Sequence, residues 1–298
     1  MVNLHRLLVL TALTVLLVGC ASGSKDAFDP VSMDLVELDP NFPPTNVELA
    51  FNSGGASLPA YLMVANGRGP HPTVVLLHGY PGNEKNLDLA QSLRRAGFNV
   101  LFMHYRGAWG AQGDYSLRQL PQDAVAALQF LRAKGREHRV DALRLSLVGH
   151  SMGGFAALKA GSQDARLDCV VGLAASNPGE YAARTDEQLD RFAVYTDGLF
   201  MLKNFSGNKA VSELRAFSRQ LDLRSAATGL GGKSVLLVAG GNDSVVPPDV
   251  QSRLAAAFEA NPRVNLTSMI IPGADHSFAG HRQQLQRTVV GWLSNNCR

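Results

Sequence analysis

The chain has 298 residues, 46% of them hydrophobic, which is enough for one large domain with a substantial core. The formal net charge is only +3 and charged residues make up 18% of the chain. No run of lysine or arginine forms a basic stripe, which leaves nucleic-acid binding without support.

The chain begins "MVNLHRLLVLTALTVLLVGCAS". His5 and Arg6 make a weakly basic start, and Leu7 to Val18 is apolar but short for a membrane span. The segment is expected to be a targeting signal covering residues 1–19. Its end, Leu17-Val18-Gly19-Cys20, resembles the bacterial lipobox. That resemblance implies cleavage before Cys20 and transfer of a diacylglycerol to its thiol. It also implies a lipid anchor in the bacterial cell envelope, since several acyl chains hold a protein firmly to a membrane. Residue 21 is alanine rather than aspartate, which by the same resemblance favours the outer membrane if the source is Gram-negative. The competing reading is an ordinary secretory signal with a chance cysteine.

Residues 20–45 are rich in proline, serine and aspartate and read as a flexible tether. The domain proper is expected over 46–298. Val47–Phe51 and Leu58–Val64 flank "NSGGAS", a hairpin signal. Strand-like runs follow at Thr73–His78, Asn99–His104, Leu143–Val148, Cys169–Ala174, Ser234–Ala239 and Leu266–Ile271. Helix-like runs alternate with them at Asn86–Arg95, Pro121–Ala133, Met152–Ala160, Asp249–Ala260 and Gln283–Ser294. Buried strands alternating with amphipathic helices predict an α/β domain with a mostly parallel sheet covered on both faces. Residues 177–230 hold no clear strand but several aromatic residues, and are expected to form a helical cap over a substrate pocket. Cys169 and Cys297 remain; two free thiols are favoured over a disulfide, because spacing alone does not fix a bridge.

The chemistry centres on Gly149-His150-Ser151-Met152-Gly153. The G-x-S-x-G pattern is weak alone, but here it lies between a strand and a helix. Gly149, Gly153 and Gly154 are expected to supply the φ/ψ freedom and the room that a sharp turn needs. Ser151 is then a nucleophile raised above the sheet edge, at a helix N-terminus whose dipole favours developing negative charge. A serine needs a base. Among eight histidines, His276 follows the last strand-like run in "IIPGADHSF" and can fold back over the strand ends. His281 is the rival, but is expected at the start of the final helix; His150 is expected to point away from Ser151. The base needs an orienting carboxylate. Asp243, in the turn after Ser234–Ala239, fits; Asp249 is expected to cap the next helix, and Asp275 is too near His276 to reach round. The bland reading of Asp243 is an Asx turn.

Ser151, Asp243 and His276 occur in the chain order nucleophile, acid, base, which resembles the α/β-hydrolases from about Thr45 to the C-terminus. The resemblance implies that fold, and an oxyanion hole from the amides of Met152 and Tyr80, the latter following a His78-Gly79 pair similar to the family's HG motif. "FMHYRGAWGAQGDYS" resembles a loop of the subgroup near prolyl-oligopeptidase catalytic domains and dienelactone hydrolases, with Arg106 expected to brace it on a carboxylate. Dienelactone hydrolases use a cysteine nucleophile and the oligopeptidases carry a propeller, so neither activity transfers directly. The chain is expected to be a serine hydrolase of carboxylic esters, with a short-peptide or amide substrate as the runner-up. A non-catalytic binding protein on the same scaffold is the alternative of another class. No metal or organic cofactor is implied.

Overall fold

The structure, a computed structural model, describes residues 28–297. The targeting signal and the Cys20 lipidation site therefore lie outside the described residues. Eight strands form one sheet in the spatial order β1-β2-β4-β3-β5-β6-β7-β8. The hairpin is β1 (Thr45–Ser53) and β2 (Ala56–Val64), paired antiparallel; β2 also runs antiparallel to β4 (Asn99–Met103). From β4 onward, β3 (His71–Leu77), β5 (Val140–His150), β6 (Cys169–Leu173), β7 (Ser234–Gly240) and β8 (Asn265–Ile271) are all parallel. The fold agrees with the mostly parallel α/β reading, and each expected strand and flanking helix is found within a few residues of its expected limits.

The continuous apolar runs of the central strands have a direct cause. β3, β4 and β6 are buried along their whole length, with helices on both sides. On one face α2 (Leu120–Lys134), α3 (Met152–Gln163) and α8 (Pro248–Glu259) contribute Leu128, Phe155 and Phe258 to the larger core. On the other, α1 (Leu87–Arg95) and α9 (Arg282–Asn296) contribute Leu89, Leu93, Leu285 and Val289. Between β3 and β5 the order of crossovers reverses: the chain leaves β3 for β4 on one side and returns to β5 on the other. Loops at that switch point part from each other and leave a crevice at the strand C-termini, where open α/β sheets place their ligands.

Residues 177–230 leave the sheet between β6 and β7. They form α4 (Pro178–Tyr181), α5 (Asp186–Asp197), α6 (Gly207–Ala216), α7 (Ser218–Leu221) and a final 3-10 turn. α5 opens with a capping box between Thr185 and Gln188. The segment is tied to the loop after β4: Trp109 N–H donates to the Met201 carbonyl at 3.0 Å, Lys203 N–H to Gly107 at 2.7 Å and Tyr115 N–H to Lys203 at 3.1 Å. That loop is itself braced as expected. Arg106 donates through Nε to Asp123 Oδ1 at 2.6 Å, and its amide reaches Oδ2 at 2.9 Å. The Ser53 hydroxyl also bonds Asp123, which joins the end of β1, the loop and α2 at one buried carboxylate.

Two expectations are corrected. Residues 28–44, read as part of a tether, lie along the domain. The proline-rich segment leaves carbonyls without secondary-structure partners, and arginines from the domain take them. Arg95 donates to Pro30 at 2.6 Å and to Val31 at 3.2 Å, while Arg139 donates to Phe42 and Pro43, both at 2.9 Å. Asp29 pairs with Arg287 at 2.8 Å.

The second correction concerns the cysteines, expected to be free. Cys169 and Cys297 form a disulfide with a Cα–Cα distance of 6.0 Å. Their separation of 128 residues hides this from the sequence; packing of α9 beside β6 brings them together. Closing so long a loop restricts the unfolded chain. Cys297→Ser is expected to lower unfolding free energy by about 2–5 kcal/mol in urea titrations run without reductant, with the difference vanishing once the wild-type bridge is reduced.

Candidate active site

Ser151 stands alone between β5 and α3, at φ 56° and ψ −119°. This is a backbone conformation that residues other than glycine rarely adopt, and it persists because the flanking elements over-determine it. The strain falls on the serine and not, as expected, on Gly149, Gly153 and Gly154, none of which has positive φ. Those glycines serve close approach instead. A Cβ on Gly149 would meet the Gly153 carbonyl oxygen at 2.0 Å, and one on Gly153 would meet the Leu77 carbonyl oxygen at 2.2 Å. The strand can turn into the helix this sharply, tight against β3, only with hydrogens at those positions. The Ser151 N–H is held by the Leu173 carbonyl at 2.8 Å, and its carbonyl accepts from Phe155 and Ser176.

His276 lies in the loop after β8. Its Nδ1 is 2.7 Å from Asp243 Oδ2, in a pair whose carboxylate is completely buried. A carboxylate can only accept, so Nδ1 carries a proton, and in the neutral ring Nε2 is the acceptor. Asp243 also closes its own turn, since Oδ1 accepts from the amides of Val245 and Val246, each at 2.8 Å. The Asx-turn reading and the orienting reading thus both describe Asp243, on different oxygens. Ser151 and His276 line the same cleft of about 160 Å³, together with Gly79, Tyr80 and Glu84. No hydrogen bond joins the Ser151 hydroxyl to the imidazole in this structure, and the hydroxyl is left facing the cleft.

The rival groups lie elsewhere. His281 ends the 3-10 turn that precedes α9. Asp275 accepts from the Ala279 amide, so it supports the loop beyond His276. Asp249 does not cap α8 as expected. The helix begins at Pro248 with Pro247 as its N-cap, and Asp249 in the first turn pairs with Arg253 at 2.7 Å.

His150 has a part that its position in the sequence concealed. It lines the same cleft as Ser151, its Nε2 lies 2.7 Å from the His276 carbonyl oxygen, and the His150 and His276 rings lie 4.8 Å apart. It pins the loop that presents His276. Burial pushes its pKa down to about 4, with His276 contributing, so the ring stays neutral near pH 7. The early loop is anchored in a similar way. His78 Nδ1 is 2.8 Å from the Gly79 carbonyl, and its Nε2 is 3.2 Å from His104 Nδ1. Burial lowers His78 to about 3 and His104 to about 4. Gly79 keeps this approach open, because a Cβ would sit tightly at 3.0 Å from Ser151 Cβ and 3.2 Å from the His150 carbonyl oxygen. Tyr80 follows directly, beside Ser151 in the cleft, and Met152 opens α3.

A second cavity, of about 370 Å³, also borders Ser151 and shares Tyr80 and Tyr195 with the first. Met152, Tyr80 and Val245 meet Tyr181, Arg184, Phe192 and Tyr195 from the 177–230 segment there. The Tyr80 hydroxyl donates to Thr196 Oγ1 at 2.9 Å, which links the early loop to α5. Among the described residues no cluster of side chains has the make-up of a metal site.

An eight-stranded, mostly parallel sheet with a serine on a strained strand-to-helix turn, and a histidine–aspartate pair on later loops of the same rim, defines the architecture of the α/β-hydrolases. The match to the model of the Alpha/beta hydrolase family covers residues 74–288, and the chain belongs to that family. Among proteins of known sequence, an uncharacterized protein of Mycobacterium tuberculosis is 25% identical over 217 residues. That match covers 70% of this chain but only 64% of the relative's length. Among solved structures, Est1E from Butyrivibrio proteoclasticus with ferulic acid bound superposes with a TM-score of 0.67 at 18% identity, over 83% of this chain and 98% of that one. The acylaminoacyl peptidase of Pyrococcus horikoshii gives a TM-score of 0.65 at 17% identity, over 85% of this chain and 42% of its own. At such identities the likeness concerns the fold.

Proposed function

We propose that the protein is a serine hydrolase that cleaves carboxylic esters through an acyl-enzyme. The observation that carries this reading is the 2.7 Å contact between His276 Nδ1 and the buried Asp243 carboxylate, which in the neutral ring makes Nε2 the acceptor, in the cleft that also holds Ser151. In this scheme Ser151 Oγ attacks the substrate carbonyl while His276 Nε2 takes its proton. Asp243 holds the imidazole tautomer and stabilises the imidazolium. The developing oxyanion is received by the Met152 amide, at the N-terminus of α3, and by the Tyr80 amide. His276 then gives its proton to the leaving alkoxide, and a water activated by the same nitrogen hydrolyses the acyl-enzyme. The absent hydrogen bond between Ser151 and His276 is compatible with this, since catalytic hydrogen bonds often tighten only with substrate in place.

The ester reading is favoured by the apolar, aromatic character of the larger cavity, which suits an acyl or aryl group. Fluorophosphonate labelling tests the nucleophile: wild-type protein is expected to take the label and Ser151→Ala to take none. If both label alike, Ser151 is not the nucleophile. Ranking p-nitrophenyl butyrate against aminoacyl-nitroanilides then separates esterase from peptidase, and faster turnover of the anilides reverses our assignment.

For location, we infer lipid anchoring at Cys20 in a bacterial envelope. The lipobox-like residues support it, and the arginine-gripped segment from residue 28 onward offers a route from an anchor to the domain. Cys20→Ser is expected to shift the protein out of the detergent phase in Triton X-114 partitioning; unchanged partitioning contradicts lipidation.

A further inference from the structure

We propose that Arg184 makes the cap-side cavity selective for substrates whose seated portion carries a free carboxylate, so that the preferred substrate is a carboxylic ester with a second, anionic acid group. The inference rests on the assignment of Ser151 as nucleophile and names the substrate class of that site.

Arg184 is the one charged side chain lining a cavity otherwise made of aromatic, apolar and hydroxyl-bearing residues. Its guanidinium carbon lies 3.8 Å from the centre of the Tyr181 ring, stacked against that face. Stacking occupies the faces of a guanidinium and leaves its edge, where the five N–H donors lie. The Tyr181 hydroxyl takes one hydrogen bond from Arg184, and among the described residues no carboxylate lies within ion-pair distance of it. Its neighbours on the same segment differ: Arg191 pairs with Glu187, Arg215 with Asp186 and Arg224 with Asp222. The nearby acids are already committed. Glu180 is held by Arg253 at 2.7 Å, and Asp243 by His276.

A half-buried cation stacked on an aromatic ring, with donors to spare beyond its bond to Tyr181 and no carboxylate partner, at the wall of a cavity that begins at the nucleophile, is a receptor for a planar anion. Guanidinium matches a carboxylate with two parallel hydrogen bonds. One positive charge balances one negative charge, so a monoanionic carboxylate fits better than a phosphate dianion. The aromatic walls lower the local dielectric and strengthen the pairing. The cavity of about 370 Å³ has room for a chain or ring between the scissile carbonyl and the anion.

The test has a kinetic and a binding arm. In the first, kcat/KM is measured for the mono-4-nitrophenyl ester of adipic acid against 4-nitrophenyl hexanoate, which differ by a terminal carboxylate. A second pair, 4-acetoxybenzoate against its methyl ester, places the anion on the leaving group instead. The expected result is a preference for the anionic member of at least one pair, and a fall of about ten- to a hundred-fold in that ratio in both Arg184→Met and Arg184→Gln, with Arg184→Lys between. Reading the ratio cancels any general damage from the substitutions. In the second arm, calorimetry on Ser151→Ala protein compares 4-phenylbutyrate with 4-phenylbutan-1-ol. Tighter binding of the acid, lost on adding Arg184→Met, supports the proposal even if no ester is turned over. Equal ratios in wild type and both variants, or equal binding of acid and alcohol, overturn it. Failure of the nucleophile assignment alone shows itself separately, as ester turnover that Ser151→Ala does not reduce.

Discussion

Ser151→Ala is expected to lower kcat for p-nitrophenyl butyrate by about a million-fold, to within the residual activity that transition-state binding alone supplies. The physical reason is that the remaining parts act only through the serine oxygen. In the proposed mechanism His276 then has no serine proton to accept, and the amides of Tyr80 and Met152 are left with only the slow direct attack of water to assist. The substitution deletes one oxygen at a position whose hydroxyl has no hydrogen-bond partner among the described residues, and alanine tolerates the surrounding packing. Its φ of 56° is no easier for alanine than for serine, so fold stability is expected to change little. Stopped-flow or plate kinetics on purified variant, with unfolding followed in urea, separates the two effects. Retention of more than a hundredth of wild-type activity in a stably folded variant would remove Ser151 from the mechanism.

Asp243→Asn should carry the second-largest effect, about ten-thousand-fold in kcat. The argument comes from the two halves of the carboxylate. Oδ1 accepts from two backbone amides, Val245 and Val246, and an asparagine will keep its carbonyl oxygen on that side. Its NH2 group is thereby turned toward His276 Nδ1 and can only donate to it. The imidazole must respond by placing its proton on Nε2, which is the wrong tautomer to receive a proton from Ser151. The loop stays folded while the base is disabled. Asp243→Ala differs, because it also leaves the amides of Val245 and Val246 without their acceptor and should cost stability as well as activity, at about 1–3 kcal/mol for the buried Val246 amide. Kinetics and urea unfolding on the two variants distinguish these cases. Equal loss of activity with equal loss of stability in both would mean that Asp243 only shapes its turn.

Much of the architecture was legible because local signals agreed with the global fold. The strands β3, β4, β5, β6 and β7 are apolar runs, and the glycine-bounded turn between β5 and α3 is readable from spacing alone. The misreadings share a physical type. The proline-rich stretch from residue 28 looked like a tether because nothing local holds it. Its partners, Arg95, Arg139 and Arg287, lie far along the chain. Asp249 looked like a cap, but Pro247 and Pro248 start the helix one step earlier and leave the aspartate to an i,i+4 pair with Arg253. The glycines around Ser151 were expected to supply both unusual φ and space; they supply the space, and the serine bears the unusual φ.

The sequence by itself determined the periodic elements, the strand–turn–helix setting of Ser151, and the chain order in which a serine, an aspartate and a histidine follow β5, β7 and β8. These depend on residues within a few positions of one another, where propensity and hydrophobic period act directly. Tertiary structure alone decided that Asp243 and His276 touch, that His150 holds the carbonyl of His276, that Cys169 meets Cys297, and that Arg184 faces the cavity without a counter-ion. Each of those facts joins segments whose separation along the chain says nothing about their distance. Only the packing of helices on a twisted sheet brings them together, and it does so through the summed burial of side chains that carry no mark of the site they assemble.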